Sequence, residues 1–430
     1  MSVGALGSTS VSNGYGSQPF DPMWMWGRCQ GGSETTSQGT AGRTKRGMAT
    51  GESEDVDEVE RRATAMEKEE ERGKAAMEEC ARMLEEKAQP KGALGTLETW
   101  AKRLAKLQCR AVPQASQFGY ACFCADHGLV ETQVCTPYPS SVTQKVASAL
   151  AAGGAAGAVM CATVGRVRHF RVVDVGMLRP ANGCELDTRV SCGTKNIVEE
   201  CAMSAEECAK ALDVGRRTMA DFVKEEIHAV VLGEVGIGNT TSSSALLAAL
   251  TRRRPVQVCG RGSGLDDIGV ERKVKVVEMA LHRHQSIVKA ASESPIKVLQ
   301  ALGGLEIAAI VGAMLQARED SIAVLVDGFI ATVAALVAVR VDPRSADCLF
   351  LTTRCPEPGH AIALTELMKV GVPKPPLDMD MRLGEGSAAA LCIPIMAAAA
   401  NVVSNMMTLS EALSLPDREE DASARAGRIF

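Results

Sequence analysis

The sequence predicts an α/β fold: a parallel sheet with helices over both faces. Three observations carry that prediction. Short β-branched runs alternate with longer alanine-rich segments of helical periodicity. Three of those runs are followed by a turn and then a helical pattern, the signature of βαβ units. The chain also has the material for a sizeable core, with 430 residues, 46% hydrophobic and 23% charged, which excludes a wholly disordered polymer.

Taken in order, residues 1–50 are low-complexity and rich in Ser and Gly, with a small aromatic island at Phe20, Trp24 and Trp26. No apolar stretch of a secretory signal occurs there. Arg28, Arg43, Lys45 and Arg46 with few acids suit either a disordered tail or an organellar transit peptide, so the expected location is intracellular, cytoplasmic or organellar. Residues 51–87 are dense in Glu, Lys and Arg and lack proline. They read as a charged helix or linker held by i,i+4 pairs and too charged to join a core. Pro90-Lys91-Gly92 breaks that pattern. Globular patterning fills residues 88–413, and residues 414–430 form a polar tail.

Residues 170–175, 229–232, 256–259 and 322–326 read as strands. Cys122 and Cys124 lie in a further apolar run, where a strand would put both on one face. Ser204-Ala205-Glu206-Glu207 is a capping box that opens a helix. Residues 146–165 and 386–410 carry no charge, but Ala, Gly, Ser and Asn dominate them. They are expected as buried core helices rather than membrane spans.

Composition narrows the function. A net charge of −5 argues against a nucleic-acid binder. Aromatics at 3% leave few rings for stacking, so a flat ligand would be held by aliphatic walls and backbone. The 15 cysteines include no C-x-x-C, and the six histidines do not fall at ligand spacings. Reduced thiols in an intracellular compartment follow, with no metal expected.

In a parallel sheet, ligands bind beyond the carboxyl ends of the strands. The turn Gly233-Glu234-Val235-Gly236-Ile237-Gly238-Asn239-Thr240-Thr241 leaves backbone N–H groups bare ahead of a helix, which suits a phosphate. Cys259-Gly260-Arg261-Gly262-Ser263-Gly264-Leu265-Asp266-Asp267 precedes the helix carrying Lys273. Neither loop fits the Walker or dinucleotide spacing, and a tight structural turn would explain either one alone. Asp327-Gly328-Phe329 follows another strand. In Met381-Arg382-Leu383-Gly384-Glu385-Gly386-Ser387, a carboxylate stands at the lip of the long uncharged stretch. Glu385 is either a half-exposed helix charge or a desolvated general base, and Glu234 is a second acid of that type.

These four motifs occur here in one order, after Lys91-Gly92-Ala93-Leu94-Gly95-Thr96-Leu97-Glu98, Ala125-Asp126-His127-Gly128, Tyr138-Pro139-Ser140-Ser141-Val142-Thr143 and Gly193-Thr194-Lys195-Asn196-Ile197. The set closely resembles the nicotinate-nucleotide–dimethylbenzimidazole phosphoribosyltransferases over residues 85–412. The resemblance implies a large domain with a parallel Rossmann-like sheet, a smaller helical domain from the two ends of the homologous region, and a homodimer. It implies displacement at ribose C1′ of nicotinate mononucleotide by 5,6-dimethylbenzimidazole or a related base. Nicotinate leaves, the anomeric centre inverts, and no cofactor is needed. Glu385 would be the base, with Glu234 beside it. Gly236, Gly238, Asn239, Thr240, Asp327, Gly328, Phe329, Gly384 and Gly386 would line the cleft. Gly260, Arg261, Gly262, Ser263, Gly264 and Lys273 would hold phosphate and ribose, while Asp126, His127 and Tyr138 would serve the base pocket. Cys355 stands where the family usually has Ser, and Ala388 where it usually has Gly. Tyr138 and Val146 fall where some members carry polar residues touching the base. A non-catalytic carrier or sensor of the base or its nucleotide is the competing reading.

Overall fold

Five runs of β-branched, aromatic and small residues form strands: β1 (Phe118–Ala125), β2 (Val167–Gly176), β3 (Ala229–Val235), β4 (Ala323–Val326) and β5 (Leu349–Leu351). The structure is a computed structural model that describes residues 56–132 and 135–415. Expectations for residues 1–50 and beyond residue 415 lie outside the described residues. Every neighbouring pair is parallel, and the order is β2-β1-β3-β4-β5. β1 and β3 are buried along their whole length. Both faces are covered, which is why these strands read as unbroken apolar runs instead of alternating ones.

The run at 256–259 is not a strand. Pro255–Val258 is a one-turn helix. Proline at its first position presets a helical φ, and Gln257 Oε1 accepts the Arg254 N–H at 3.1 Å to close the turn. The sheet also has no opening there, because β3 is already bonded to β1 and β4.

Helices Ala205–Lys224 and Leu305–Glu319 pack against each other, and the second lies against β1 and β2. At their crossing, a Cβ on Gly215 would strike the Ala309 carbonyl, and one on Gly312 the Leu212 carbonyl. Glycine at these two positions therefore serves close helix packing. The capping box at Ser204 is present, with the Glu207 N–H donated to Ser204 Oγ at 3.1 Å.

The two ends of the described chain meet in a helical layer. Helices Val56–Glu85 and Thr96–Leu107 pack together, and the second packs on Ile393–Asn405. Lys87 Nζ donates to the Met406 carbonyl at 2.7 Å, and the Leu409 N–H to the Glu86 carbonyl at 2.8 Å. The described part of the charged stretch, residues 56–87, therefore does join the core. Its last turns bury Ala76, Cys80 and Leu84, and Glu69 pairs with Arg318 Nη1 at 2.8 Å. The apolar stripe is narrow and sparse, so the charge density hid it.

Ser141–Val164 and Ser387–Asn405 have the length and composition of membrane spans. Each is broken in two: helices Ser141–Ala151 and Ala156–Val164 in the first, Ser387–Leu391 and Ile393–Asn405 in the second. The second is 61% buried within the fold as expected, but the first is only 28% buried.

Candidate active site

A cavity of about 430 Å³ opens at the carboxyl ends of β3 and β4. Glu234, near the end of β3, is nearly buried, and its Oε2 accepts from Asn239 Nδ2 at 2.5 Å. Burial pushes its carboxyl well above the usual carboxylate range, and the neighbouring Glu306 and Asp327 charges add to that push. Asn239 opens the helix Asn239–Thr251 directly after Gly236 and Gly238, and all three line the cavity with Thr240. Asp327 follows β4 with Gly328 and Phe329. Burial raises its pKa to about 6, while N–H bonds, including the one from Ala389 at 3.0 Å, hold it down.

Glu385 lines the same cavity. Gly384, Glu385 and Gly386 have φ of 90°, 59° and 67°. Three successive left-handed residues make a tight cradle, and the two flanking glycines make it sterically accessible. Glu385 itself is a non-glycine residue held there. The Glu385 N–H donates to the Glu234 carbonyl at 3.2 Å, tying the two acids' backbones together. Tyr120 Oη on β1 donates to the Glu385 carbonyl at 2.6 Å. Glu385 Oε2 accepts the Gly157 N–H at 3.0 Å, in the first turn of Ala156–Val164. A Cβ on Gly157 or Gly233 would collide with the Glu385 backbone. Sequence reasoning missed Tyr120 and Gly157. The only available signal was a lone hydroxyl inside an apolar strand.

Gly262 and Ser263 line the opposite side. The Gly262 N–H donates to Glu357 Oε1 at 2.7 Å, so a further acid, unforeseen in the sequence, fixes the glycine loop. Lys273 lies just behind, fully buried, with Nζ donating to Thr240 Oγ1 at 2.9 Å and to the Gly260 carbonyl at 3.3 Å. Desolvation lowers its pKa. Cys355 lines the cavity, and burial pushes its thiol up to about 11, so it is a neutral, weak donor. Its N–H donates to His360 Nδ1 at 3.0 Å, which leaves Nε2 for Thr332 Oγ1, also at 3.0 Å.

Several expected site residues do not line the cavity. Arg261 folds back on its own loop, with Nη1 donating to the Leu265 carbonyl at 2.9 Å and Nη2 to Asp267 Oδ1 at 2.5 Å, and Gly264 goes with it. Gly260 and Gly386 lie in the layer behind. Asp126 and His127 are buried inward from the end of β1. His127 Nε2 is 2.7 Å from Glu306 Oε1 and its Nδ1 is 3.0 Å from Ser242 Oγ. Asp126 Oδ2 accepts the Leu178 N–H at 2.8 Å. Held by these contacts, the two residues do not line the cavity. Tyr138 stands at the mouth, half exposed. Val142, Val146 and Ile237 supply an aliphatic wall, and Ala388 adds a methyl to the floor.

An apolar slot lined by two acids, beside a glycine loop backed by a buried lysine at the end of a parallel sheet, suits an enzyme that holds a flat base next to a phosphate. A family profile described as phosphoribosyltransferase matches residues 70–413. The nicotinate-nucleotide–dimethylbenzimidazole phosphoribosyltransferase of Chromobacterium violaceum is 40% identical over 324 residues, 75% of this chain and 91% of that one. The protein of the same name from Bradyrhizobium diazoefficiens is 38% identical over 330 residues, 76% and 91% of the two chains. The crystal structure of CobT from Thermus thermophilus superposes with a TM-score of 0.72 at 34% identity, over 80% of this chain and 100% of that one. The chain belongs to the nicotinate-nucleotide–dimethylbenzimidazole phosphoribosyltransferase family. The family match begins at residue 70, inside the Val56–Glu85 helix, 15 residues before the start that the sequence motifs marked.

Proposed function

We propose that this chain transfers the phosphoribosyl group of nicotinate mononucleotide to 5,6-dimethylbenzimidazole, giving α-ribazole 5′-phosphate and nicotinate for the cobalamin lower ligand. The observation that carries the reading is the pair Glu234 and Glu385, facing one aliphatic slot that opens beside the Gly262–Ser263 backbone. A benzimidazole nitrogen attacks ribose C1′. The C1′–N bond to the pyridinium breaks, and its electron pair neutralises the nicotinate ring. The benzimidazole N–H proton passes to Glu385, which lies at the cavity floor with one oxygen held by Gly157. Glu234, whose proton affinity burial raises, is held by Asn239 beside the slot. The wall of Val142, Val146 and Ile237 packs the flat base. Alignment of base and ribose is the main requirement, and it supplies on the order of 7–11 kcal/mol.

A homodimer belongs to the same reading. Tyr138, Met379 and Leu383 are exposed apolar side chains in and next to the mouth segments that a second copy would cover. An intracellular location accords with every described cysteine being free.

The test mixes purified protein with nicotinate mononucleotide and dimethylbenzimidazole and follows free nicotinate. Wild type is expected to release it, and Glu385→Gln to slow release by about 10²–10⁴-fold, the usual worth of a general base. A wild type that binds base but releases nothing would favour the carrier reading. Running adenine in place of the benzimidazole reads the base preference.

A further inference from the structure

We infer that Arg382 selects the substrate by the carboxylate of its pyridine ring, so that the enzyme discriminates nicotinate from nicotinamide mononucleotide. The inference rests on the phosphoribosyl transfer proposed above and extends it to the leaving group. The cavity is short of positive charge. Four carboxylates line it, Glu234, Asp327, Glu357 and Glu385, whereas Arg382 is the one basic side chain among its described lining residues. Arg382 makes no hydrogen bond or ion pair with any described residue, unlike Arg261, which is bound to Asp267. It stands three residues before Glu385, at the exposed lip of the slot.

Nicotinate mononucleotide brings a phosphate, a cationic ring and a ring carboxylate into this cavity. The phosphate has its own address across the cavity, at the Gly262 and Ser263 backbone with Lys273 behind. Inversion at C1′ places the pyridine ring on the face opposite the attacking base, in the remaining part of the same cavity. Its carboxylate then enters a neighbourhood of acids and needs a cation. A guanidinium fits a carboxylate in a two-pronged, charge-assisted contact that a neutral carboxamide cannot reproduce. The carboxylate keeps its charge when the C1′–N bond breaks, whereas the ring loses its own. Arg382 therefore holds substrate and leaving group alike, and its effect falls on binding more than on the chemical step.

The experiment compares nicotinate and nicotinamide mononucleotides as substrates of wild type, Arg382→Gln and Arg382→Lys. Wild type is expected to prefer the nicotinate substrate. Arg382→Gln should lower kcat/KM for nicotinate mononucleotide by on the order of ten- to a hundredfold more than for the nicotinamide one, mainly through KM, matching a lost charge-assisted bond. Arg382→Lys should restore part of the preference. Equal losses on both substrates, or a wild type indifferent between them, would overturn the inference. Calorimetric binding of free nicotinate against nicotinamide gives the same comparison without turnover. It therefore still decides the role of Arg382 if wild type releases no nicotinate, an outcome that would sink the catalytic reading alone.

Discussion

Glu385 is held from three sides by groups far away in the chain: the Gly157 N–H on its carboxylate, Tyr120 Oη on its carbonyl, and the Glu234 carbonyl on its own N–H. Tyr120 is itself fixed by stacking on Phe170, with ring centroids 4.3 Å apart. Tyr120→Phe keeps the ring and removes the donor. It is expected to cost about 1 kcal/mol of stability and to lower kcat several-fold with KM little changed; an unaltered kcat in steady-state assays would show that the 384–386 cradle holds itself. Gly157→Ala should be worse, at least tenfold in kcat, because its methyl has no room beside the Glu385 carbonyl and Tyr120 Oη. The glycine-flanked acid was visible in the sequence. Its supports were not, since no local pattern links positions 120, 157 and 385.

Among the elements, the 56–85 helix shows how charge density can mask a packed face. Among its described side chains only Ala76, Cys80 and Leu84, each four residues on, are deeply buried hydrophobics, and many of their neighbours are exposed charges. A helix too charged to join a core would be dispensable to the fold. With those three side chains packed and Arg318 paired to Glu69, a chain beginning at residue 88 should instead be less stable by about 3–5 kcal/mol than one beginning at Glu54. Urea midpoints measure this; equal midpoints would return the helix to a solvated role. The misread 256–259 run has the opposite lesson. A four-residue run with two valines is too short to distinguish strand from helix, and Pro255 together with a sheet already filled on both sides decided for helix.

Across the whole molecule, burial at the active-site end of the sheet raises the proton affinity of Glu234 and Asp327. Asp327 is the clearest. Its folded pKa of about 6 lies above the ordinary 3.8 because burial disfavours the charge. The folded chain therefore binds this proton more tightly than the unfolded chain. The resulting stabilisation is complete below pH 3.8 and is lost as pH rises through 6. The stability of wild type relative to Asp327→Asn should thus fall by about 2 kcal/mol between pH 4 and pH 7. Urea denaturation of both proteins at several pH values checks it, and a difference that rises with pH would contradict the buried-acid account.

The α/β class, the parallel sheet and the loops bearing Glu234, Gly262 and Glu385 were determined by the sequence alone. Hydrophobic periodicity and glycine placement are local properties, and these features depend on little else. Only the tertiary structure decided that Arg261, Asp126 and His127 turn away from the cavity, that Glu357 and Tyr120 brace it, and that a charged helix closes the core. Each of those outcomes is a contact between segments distant in the chain, set by which side chains the packed sheet and helices bring within a few ångströms of each other.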